Sequence, residues 1–188
     1  MEKAFWKPGT MLYPAPAVLV SCGDDPKNYN AITIAWTGTI CSEPPMAYIS
    51  VRPQRHSHEI IKRTGEFVIN LTTKKLAFAT GYCGAKSGRD LNKFSAMKLT
   101  PIKGLKVSAP IIKESPLNIE CKVTEIKSLG SHDMFIAEVV GVHAAKKYIN
   151  KKGAFNFADA DPICFSHGKY YLLGKEIGHL GFSVRKKK

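Results

Sequence analysis

Acidic residues are scarce in this chain of 188 residues, where 15 Asp and Glu stand against 28 Lys and Arg for a formal net charge of +13. The carboxylates that exist are unpaired, so hydrolysis by a Ser-His-Asp triad or by two carboxylates has no sequence support. Phosphate-binding fingerprints are missing as well: neither a Walker loop nor a GxGxxG after a strand occurs. The five cysteines (Cys22, Cys41, Cys83, Cys121 and Cys164) are odd in number and widely spaced. They form no CxxC pair and no Cys/His cluster of zinc spacing, which points to reduced, mostly buried thiols. Cys83 lies in the polar segment TGYCGAKSG, but no adjacent base marks it as a nucleophile, and a structural role is expected. No apolar run approaches membrane-spanning length, and Pro8, Gly9, Pro14 and Pro16 interrupt any secretory core. A soluble, cytoplasmic protein without membrane contact is expected. Linkers, internal repeats and low-complexity stretches are absent, so residues 1–188 are expected to form a single domain.

The excess of positive charge invites a nucleic-acid partner. Its distribution argues otherwise. Lysine pairs are scattered at Lys74-Lys75, Lys146-Lys147 and Lys151-Lys152, and the longest basic run, Arg185 to Lys188, falls at a terminus expected to fray. Solubility, or attraction to anionic cofactors and acidic partners, accounts for the same charge. A basic barrel that binds nucleic acid without catalysis is the second hypothesis; the interleaving of aromatic and basic residues that it needs is missing.

What the chain does contain is a succession of short strand patterns. Residues 17–22 are an apolar run, residues 30–36 alternate Ile32, Ile34 and Trp36 against Thr33 and Ala35, and residues 46–51 follow the turn-forming Pro44-Pro45. Residues 66–71 are almost continuously apolar, as expected of a central strand buried on both faces. Residues 117–126 and 134–144 flank the turn residues Gly130 to Asp133 and read as a long hairpin. One more strand is expected at 169–173. Helices are expected at 57–64, 75–82 and 89–94, and residues 101–116 read as irregular connection. The fold class is therefore mainly β, a barrel or sandwich with short helical insertions.

The segment from 47 to 71 carries the first functional signal. A strand through Tyr48, Ile49 and Val51 is broken by Pro53, and a short helix follows with Ser57 as its expected N-cap and Gly65 as its stop. Arg52, Arg55 and Ser57 thus gather at a helix N-terminus, where free N–H groups, the helix dipole and bidentate arginine contacts favour a phosphate. A second strand end, Trp36-Thr37-Gly38-Thr39, offers backbone N–H groups to the polar edge of a planar ring. Solvated or carboxylate-paired arginines, an ordinary threonine turn and a core tryptophan are the alternatives at these two places.

In that order the motifs resemble the flavin reductase-like, FMN-binding split-barrel family, and within it the flavoredoxin branch. The resemblance is carried by Asn30-Ala-Ile-Thr-Ile-Ala-Trp36, Ser42-Glu-Pro-Pro45, Ser50-Val-Arg-Pro53, Arg55-His-Ser57 and Gly65-Glu-Phe-Val-Ile-Asn70. It continues through Ser87-Gly-Arg-Asp90 with Lys93-Phe94, Gly130-Ser-His-Asp-Met-Phe-Ile136 and Tyr170-Tyr-Leu-Leu-Gly174. The resemblance implies a six-stranded Greek-key split β-barrel, a homodimer, and FMN near the subunit interface. It implies that Asn30, Trp36, Thr37, Gly38 and Thr39 surround the ring, that Arg52, Arg55, His56 and Ser57 hold the phosphate or ribityl chain, and that Ser87 and Arg89 approach the same cofactor.

The flavin would then carry the redox chemistry while the protein binds it and tunes its potential, which explains the missing acid–base motif. NADH, NADPH or a redox protein is the expected electron partner. His132 is the single candidate for a catalytic side chain, and His167 and Tyr170 are further candidate contacts for a donor or acceptor. For all three, a structural hydrogen-bonding role is the alternative. A flavin or haem store without turnover is the third hypothesis.

Overall fold

The computed structural model describes residues 1–184; the basic run 185–188 expected to fray lies outside the described residues. In chain order the elements are β1 (Ala15–Pro16), β2 (Val18–Cys22), β3 (Asn30–Ile34), β4 (Thr37–Ser42), β5 (Pro45–Val51), α1 (His56–Thr64) and β6 (Glu66–Leu71). Then come α2 (Ala77–Ala85), α3 (Lys93–Ala96), β7 (Pro101–Lys103), β8 (Pro110–Ile112), β9 (Leu117–Ser128), β10 (Asp133–Ala144), β11 (Ile163–Ser166) and β12 (Lys169–Leu172).

Seven strands form one antiparallel sheet in the order β3-β2-β6-β9-β10-β5-β4. Its two edge strands, β3 and β4, are consecutive in sequence and joined only by Ala35 and Trp36. Two residues cannot span a flat seven-stranded sheet, so the sheet must curl until its edges meet. At the link itself the Ser50 N–H donates to the Trp36 carbonyl at 2.8 Å, extending the β4-β5 ladder by one rung. The barrel is split rather than closed: no ladder joins β3 to β4. The family's split barrel is present, with seven strands in its sheet because the expected strand at 30–36 ends at Ile34 and a new one begins at Thr37.

Strand alternation builds two apolar layers. Val18, Val20 and Cys22 of β2 point into the barrel with Ile32, Ile49, Phe67, Phe135 and the α1 residues Ile60 and Ile61. Leu19 faces outward instead, under Ala79 and Cys83 of α2 and Phe94 of α3. Phe67 and Phe135 are fully buried, each contributing about 1.5–3 kcal/mol of transfer free energy. As expected, β6 is central and buried on both faces: Phe67 and Ile69 face the barrel, and Val68 packs against Val107, Ala109 and Ile111.

Two buried polar knots fix the outer layer. Asn70 donates to the Leu19 carbonyl and to Ser21 Oγ, both at 2.9 Å, and accepts from the Ile112 N–H at 2.9 Å. Glu120, fully buried on β9, accepts the N–H groups of Leu105, Lys106 and Val107 at 3.1, 2.7 and 2.8 Å and also bonds His143. Burial works to raise its carboxyl, but His143 and the three N–H groups outweigh burial and hold it below the ordinary range.

Several local expectations are corrected. The N-cap of α1 is Arg55, with extended φ −74° and ψ 135° and no side-chain cap bond, and not Ser57. Ser57 is the second residue of the helix, and its hydroxyl turns inward to a buried partner, Asn30. Gly65 does end the helix, in the left-handed region at φ 68°, with its N–H on the Ile61 carbonyl at 2.8 Å. The expected helix at 89–94 is a turn followed by the four-residue α3, which Asn92 caps by accepting from the Ser95 N–H. The helix expected at 75–82 begins as a 3-10 turn and runs on to Ala85. Residues 101–116 carry the small β7-β8 ribbon, and β11, missed in the sequence, pairs β1 and β12 in a separate three-stranded sheet.

Candidate functional site

The curl of the sheet brings the start of β3, the first turn of α1 and the end of α2 around one cavity of about 460 Å³. Arg52, Arg55, Lys86 and Lys93 line it and, among the described residues, no carboxylate does. Like charges gathered without counterions raise the local positive potential and favour an anion. The N-terminus of the nine-residue α1 opens on the same space, since Arg55, His56 and Ser57 all line it.

Each polar group here is held from behind. Asn30 Nδ2 donates to Ser57 Oγ at 2.8 Å, with both residues buried. Gly88 closes the loop over this pair: a Cβ there would stand 2.2 Å from Asn30 Oδ1, so only glycine fits. Lys93 is buried, and its Nζ donates to the carbonyls of Ala31 and Cys83, both at 2.8 Å. An ammonium has three N–H donors; among the described residues only two of Lys93's are taken. Burial lowers its pKa from the usual lysine value. His56 Nδ1 is buried with no hydrogen-bond partner. Burial first, then the charge of Arg89, pushes this imidazole down, so it is neutral near pH 7. An orphaned ring nitrogen and a spare ammonium donor in a cationic cavity are unmet demands that a phosphate and its attached polyol satisfy.

The other end of the site is apolar. A cavity of about 810 Å³ lies between the N-terminal stretch 9–16 on one side and Trp36, Thr37, Tyr48 and His132 on the other. A waist of about 210 Å³, lined by Ile32, Ile34, Trp36, Arg52, Arg55 and His132, shares walls with both ends. The three spaces form one trough, cationic at one end and free of Lys, Arg, Asp and Glu at the other. Thr37 Oγ1 donates to the Tyr48 carbonyl at 2.6 Å, which fixes the floor beside Trp36. His132 Nδ1 lies 2.9 Å from Ser131 Oγ. Burial, then Arg52, lowers its pKa, leaving a neutral ring at the mouth. Beneath it His58 Nε2 meets Asp133 Oδ2 at 2.8 Å, tying α1 to the root of the loop that carries His132.

Of the residues singled out in the sequence, Asn30, Trp36, Thr37, Arg52, Arg55, His56, Ser57, Ser87 and His132 line the trough. Three do not. Gly38 and Thr39 lie on edge strand β4 outside the lining; a Cβ at Gly38 would stand 3.2 Å from Tyr48 Cε1, so Gly38 seats that ring. Arg89 stands behind the wall, donating to the Gln54 carbonyl at 3.0 Å and so pinning the 52–55 turn. His167 and Tyr170 sit on the β11-β12 hairpin, against Tyr13 and Phe165 respectively. Lys93, Lys86, Tyr48 and Phe165 line the trough without having been named as site residues. Of these, only Lys93 had a sequence signal, its place in the Lys93-Phe94 pair. Cys83 lines the cationic cavity but is buried, and burial raises its thiol, so it is no thiolate.

A further cavity of about 700 Å³ lies at the opposite end of α2. There Lys75, Lys98, Lys113 and Lys147 face Glu114, Asp159 and Asp161, which offset most of their charge, and among the described residues it holds no orphaned buried polar atom.

A split barrel whose seam opens into such a trough defines a flavin-linked class, and the comparisons agree: the Flavin reductase like domain matches residues 10–173, so the chain belongs to the flavin reductase-like family. Within that family it falls on the flavoredoxin branch. It is similar to the flavoredoxin of Desulfovibrio vulgaris (Miyazaki F), with a TM-score of 0.91, 28% identity, and coverage of 98% of this chain and 100% of that one. The flavoredoxin of Methanosarcina acetivorans shares the fold with a TM-score of 0.88 at 24% identity, covering 98% of this chain and 100% of that one. An uncharacterized protein of Archaeoglobus fulgidus is 30% identical over 146 residues, which are 78% of this chain and 81% of its own.

Proposed function

We propose that the chain, as one domain, binds FMN in the trough and works as an FMN-dependent oxidoreductase, either reducing the flavin from NADH or NADPH or relaying electrons between proteins as a flavoredoxin-like carrier. The observation that carries it is the charge separation along one trough: four cations, an orphaned His56 nitrogen and a helix N-terminus at one end, and a neutral aromatic slot at the other. FMN has that shape and that polarity, with a dianionic phosphate on a polyol and a flat ring.

When bound, the flavin supplies two-electron and one-electron redox chemistry. The chain's own part is binding and orientation. Arg52, Arg55, Lys93 and the Ser57 hydroxyl neutralise and grip the phosphate, and His56 Nδ1 meets the polyol. Trp36 and Tyr48 wall the ring. His132, neutral at pH 7, holds a hydrogen bond at the mouth, where a second substrate arrives. Exposed apolar residues on and after β12, Tyr171, Leu172 and Leu173, are the surface that a homodimer partner covers, and a cytoplasmic site of action suits the reduced thiols. The nucleic-acid alternative has no support in the structure, because the cations that converge do so inside a cavity and not along an open groove.

Anaerobic mixing of FMN-loaded protein with each nicotinamide tests the reading. Yellow protein whose absorbance bleaches rapidly identifies a reductase, yellow protein that does not bleach excludes a reductase and favours a carrier, and folded protein that takes up no FMN defeats the proposal.

A further inference from the structure

Among the described residues Lys93 is the one buried lysine. It lines the cationic cavity beside Arg52, Arg55 and Lys86, and no carboxylate stands there to hold its charge. A buried ammonium without a counterion is costly, and the cost falls on the charged form. Burial is the main cause that lowers its pKa, and the Arg55 charge adds to it. The carbonyls of Ala31 and Cys83, each 2.8 Å from Nζ, take two N–H groups, and two are all that a neutral amine has. The uncharged form therefore keeps both partners and has its lone pair left over. A desolvated lysine next to another cation is the setting in which an amine attacks carbonyl compounds. Here the anion grip of Arg52, Arg55 and the α1 N-terminus opens on the same cavity.

We propose that Lys93 of the flavin-free chain captures small phosphorylated aldehydes, the phosphate docking on Arg52, Arg55 and Ser57 while the aldehyde condenses with the Lys93 amine as an imine. The ammonium first gives a proton to water. The nitrogen lone pair then forms the C–N bond to the carbonyl carbon, the carbonyl oxygen leaves as water, and no electrons are gained or lost overall. Hydrolysis runs the same steps backward, so the adduct is reversible. Adduct and cofactor would share one grip, and the modified chain would take up no FMN. That last consequence rests on the FMN reading above; the imine does not.

The test incubates the flavin-free full chain with glyceraldehyde 3-phosphate and sodium cyanoborohydride, whose hydride reduces the imine to a stable secondary amine. Peptide mass spectrometry then maps the label. Lys86 lines the same cavity but is exposed, so it serves as the internal reference. Lys93 should label at least about fivefold faster than Lys86 at neutral pH, and glyceraldehyde, which has no phosphate to hold it near the amine, should label Lys93 at least about tenfold more slowly. Lys93 that labels no faster than Lys86 overturns the capture, and equal rates for the two aldehydes overturn the docking. Lys93→Arg keeps a cation and N–H donors but forms no imine, so the label at this position should vanish while a melting curve stays close to that of the natural chain. FMN at saturation should suppress the Lys93 label, and a label that persists overturns the shared grip. FMN titration of the untreated chain is read separately: failure to bind FMN defeats the proposed function, while the flavin-free labelling still decides the capture.

Discussion

Asn30 and Ser57, 27 residues apart in sequence, meet as a buried pair in which Asn30 Nδ2 donates to Ser57 Oγ at 2.8 Å. The bond joins the edge of the sheet to the first turn of α1, so the Ser57 side of the proposed anion grip is held by the barrel. Gly88 above the pair and Lys93 beside it complete a rigid cradle.

Ser57→Ala removes one charge-assisted hydrogen bond, worth about 1.5–3 kcal/mol, and should weaken FMN binding at least tenfold. Riboflavin, which has no phosphate, should bind equally to both proteins. Combining it with Arg55→Ala should deepen the FMN loss. Flavin-fluorescence titrations measure both ligands, and an unchanged FMN affinity would refute this placement of the phosphate.

Lys93→Met should cost tenfold or more in FMN affinity and also change its pH dependence. The lysine's pKa is lowered by burial in the free protein, so as pH rises its positive charge is lost earlier than that of an ordinary lysine. FMN affinity of the natural chain should therefore be highest near neutrality and decline toward alkaline pH. The variant should bind weakly throughout, without that decline; isothermal titration across pH decides it.

Gly88→Ala places a carbon 2.2 Å from Asn30 Oδ1, so the 87–89 loop or the Asn30 side chain must shift. Because the pair lies in the cradle and outside the main barrel core, the expected outcome is roughly a tenfold loss of FMN affinity with only a few degrees lost in melting temperature. A variant that binds FMN normally would show that the loop does not close the site.

Glu120→Gln tests the fold apart from the site. The substitution puts an amide where three N–H groups and His143 converge on a carboxylate, and an unsatisfied buried group of this kind costs about 2–4 kcal/mol. That corresponds to a melting point lower by roughly 5–10 °C for a chain of this size, with FMN affinity unaltered. The folded carboxyl is held below its ordinary value of 4.5, so its stabilisation is complete above that pH and is lost as pH falls through the folded value. The gap between variant and natural protein should accordingly narrow in acid; calorimetry from pH 7 to pH 3 would show it.

Much of the architecture was legible from periodicity. The apolar run of β6, the long β9-β10 hairpin and the Gly65 stop follow from local rules that tertiary contacts did not override. The N-cap of α1 was misplaced because Ser57 has a partner in β3, and no local rule sees across 27 residues. The division of residues 30–42 into two edge strands was hidden for a similar reason: alternation continues smoothly through Trp36, and only the curl of the sheet shows that the chain must bend there. At the site, arginines and a serine beside a helix start were visible as an anion grip, whereas Lys93 acquired its role from carbonyls of Ala31 and Cys83 that fold against it. Arg89 was drawn toward the cofactor by resemblance, and the structure sets it one layer back as a brace for the Gln54 carbonyl.

The two-residue link between β3 and β4 also has a kinetic meaning. These strands are neighbours in sequence but stand at opposite ends of the sheet, so Trp36 reaches its final place only after the intervening strands have paired. Long-range pairings of this kind form slowly. The aromatic slot is thus among the last features to assemble, and flavin capture should lag behind the appearance of β structure when the chain refolds, which stopped-flow circular dichroism beside flavin fluorescence would resolve. A bound flavin would then act as a latch on a finished barrel, slowing its opening without having helped to build it.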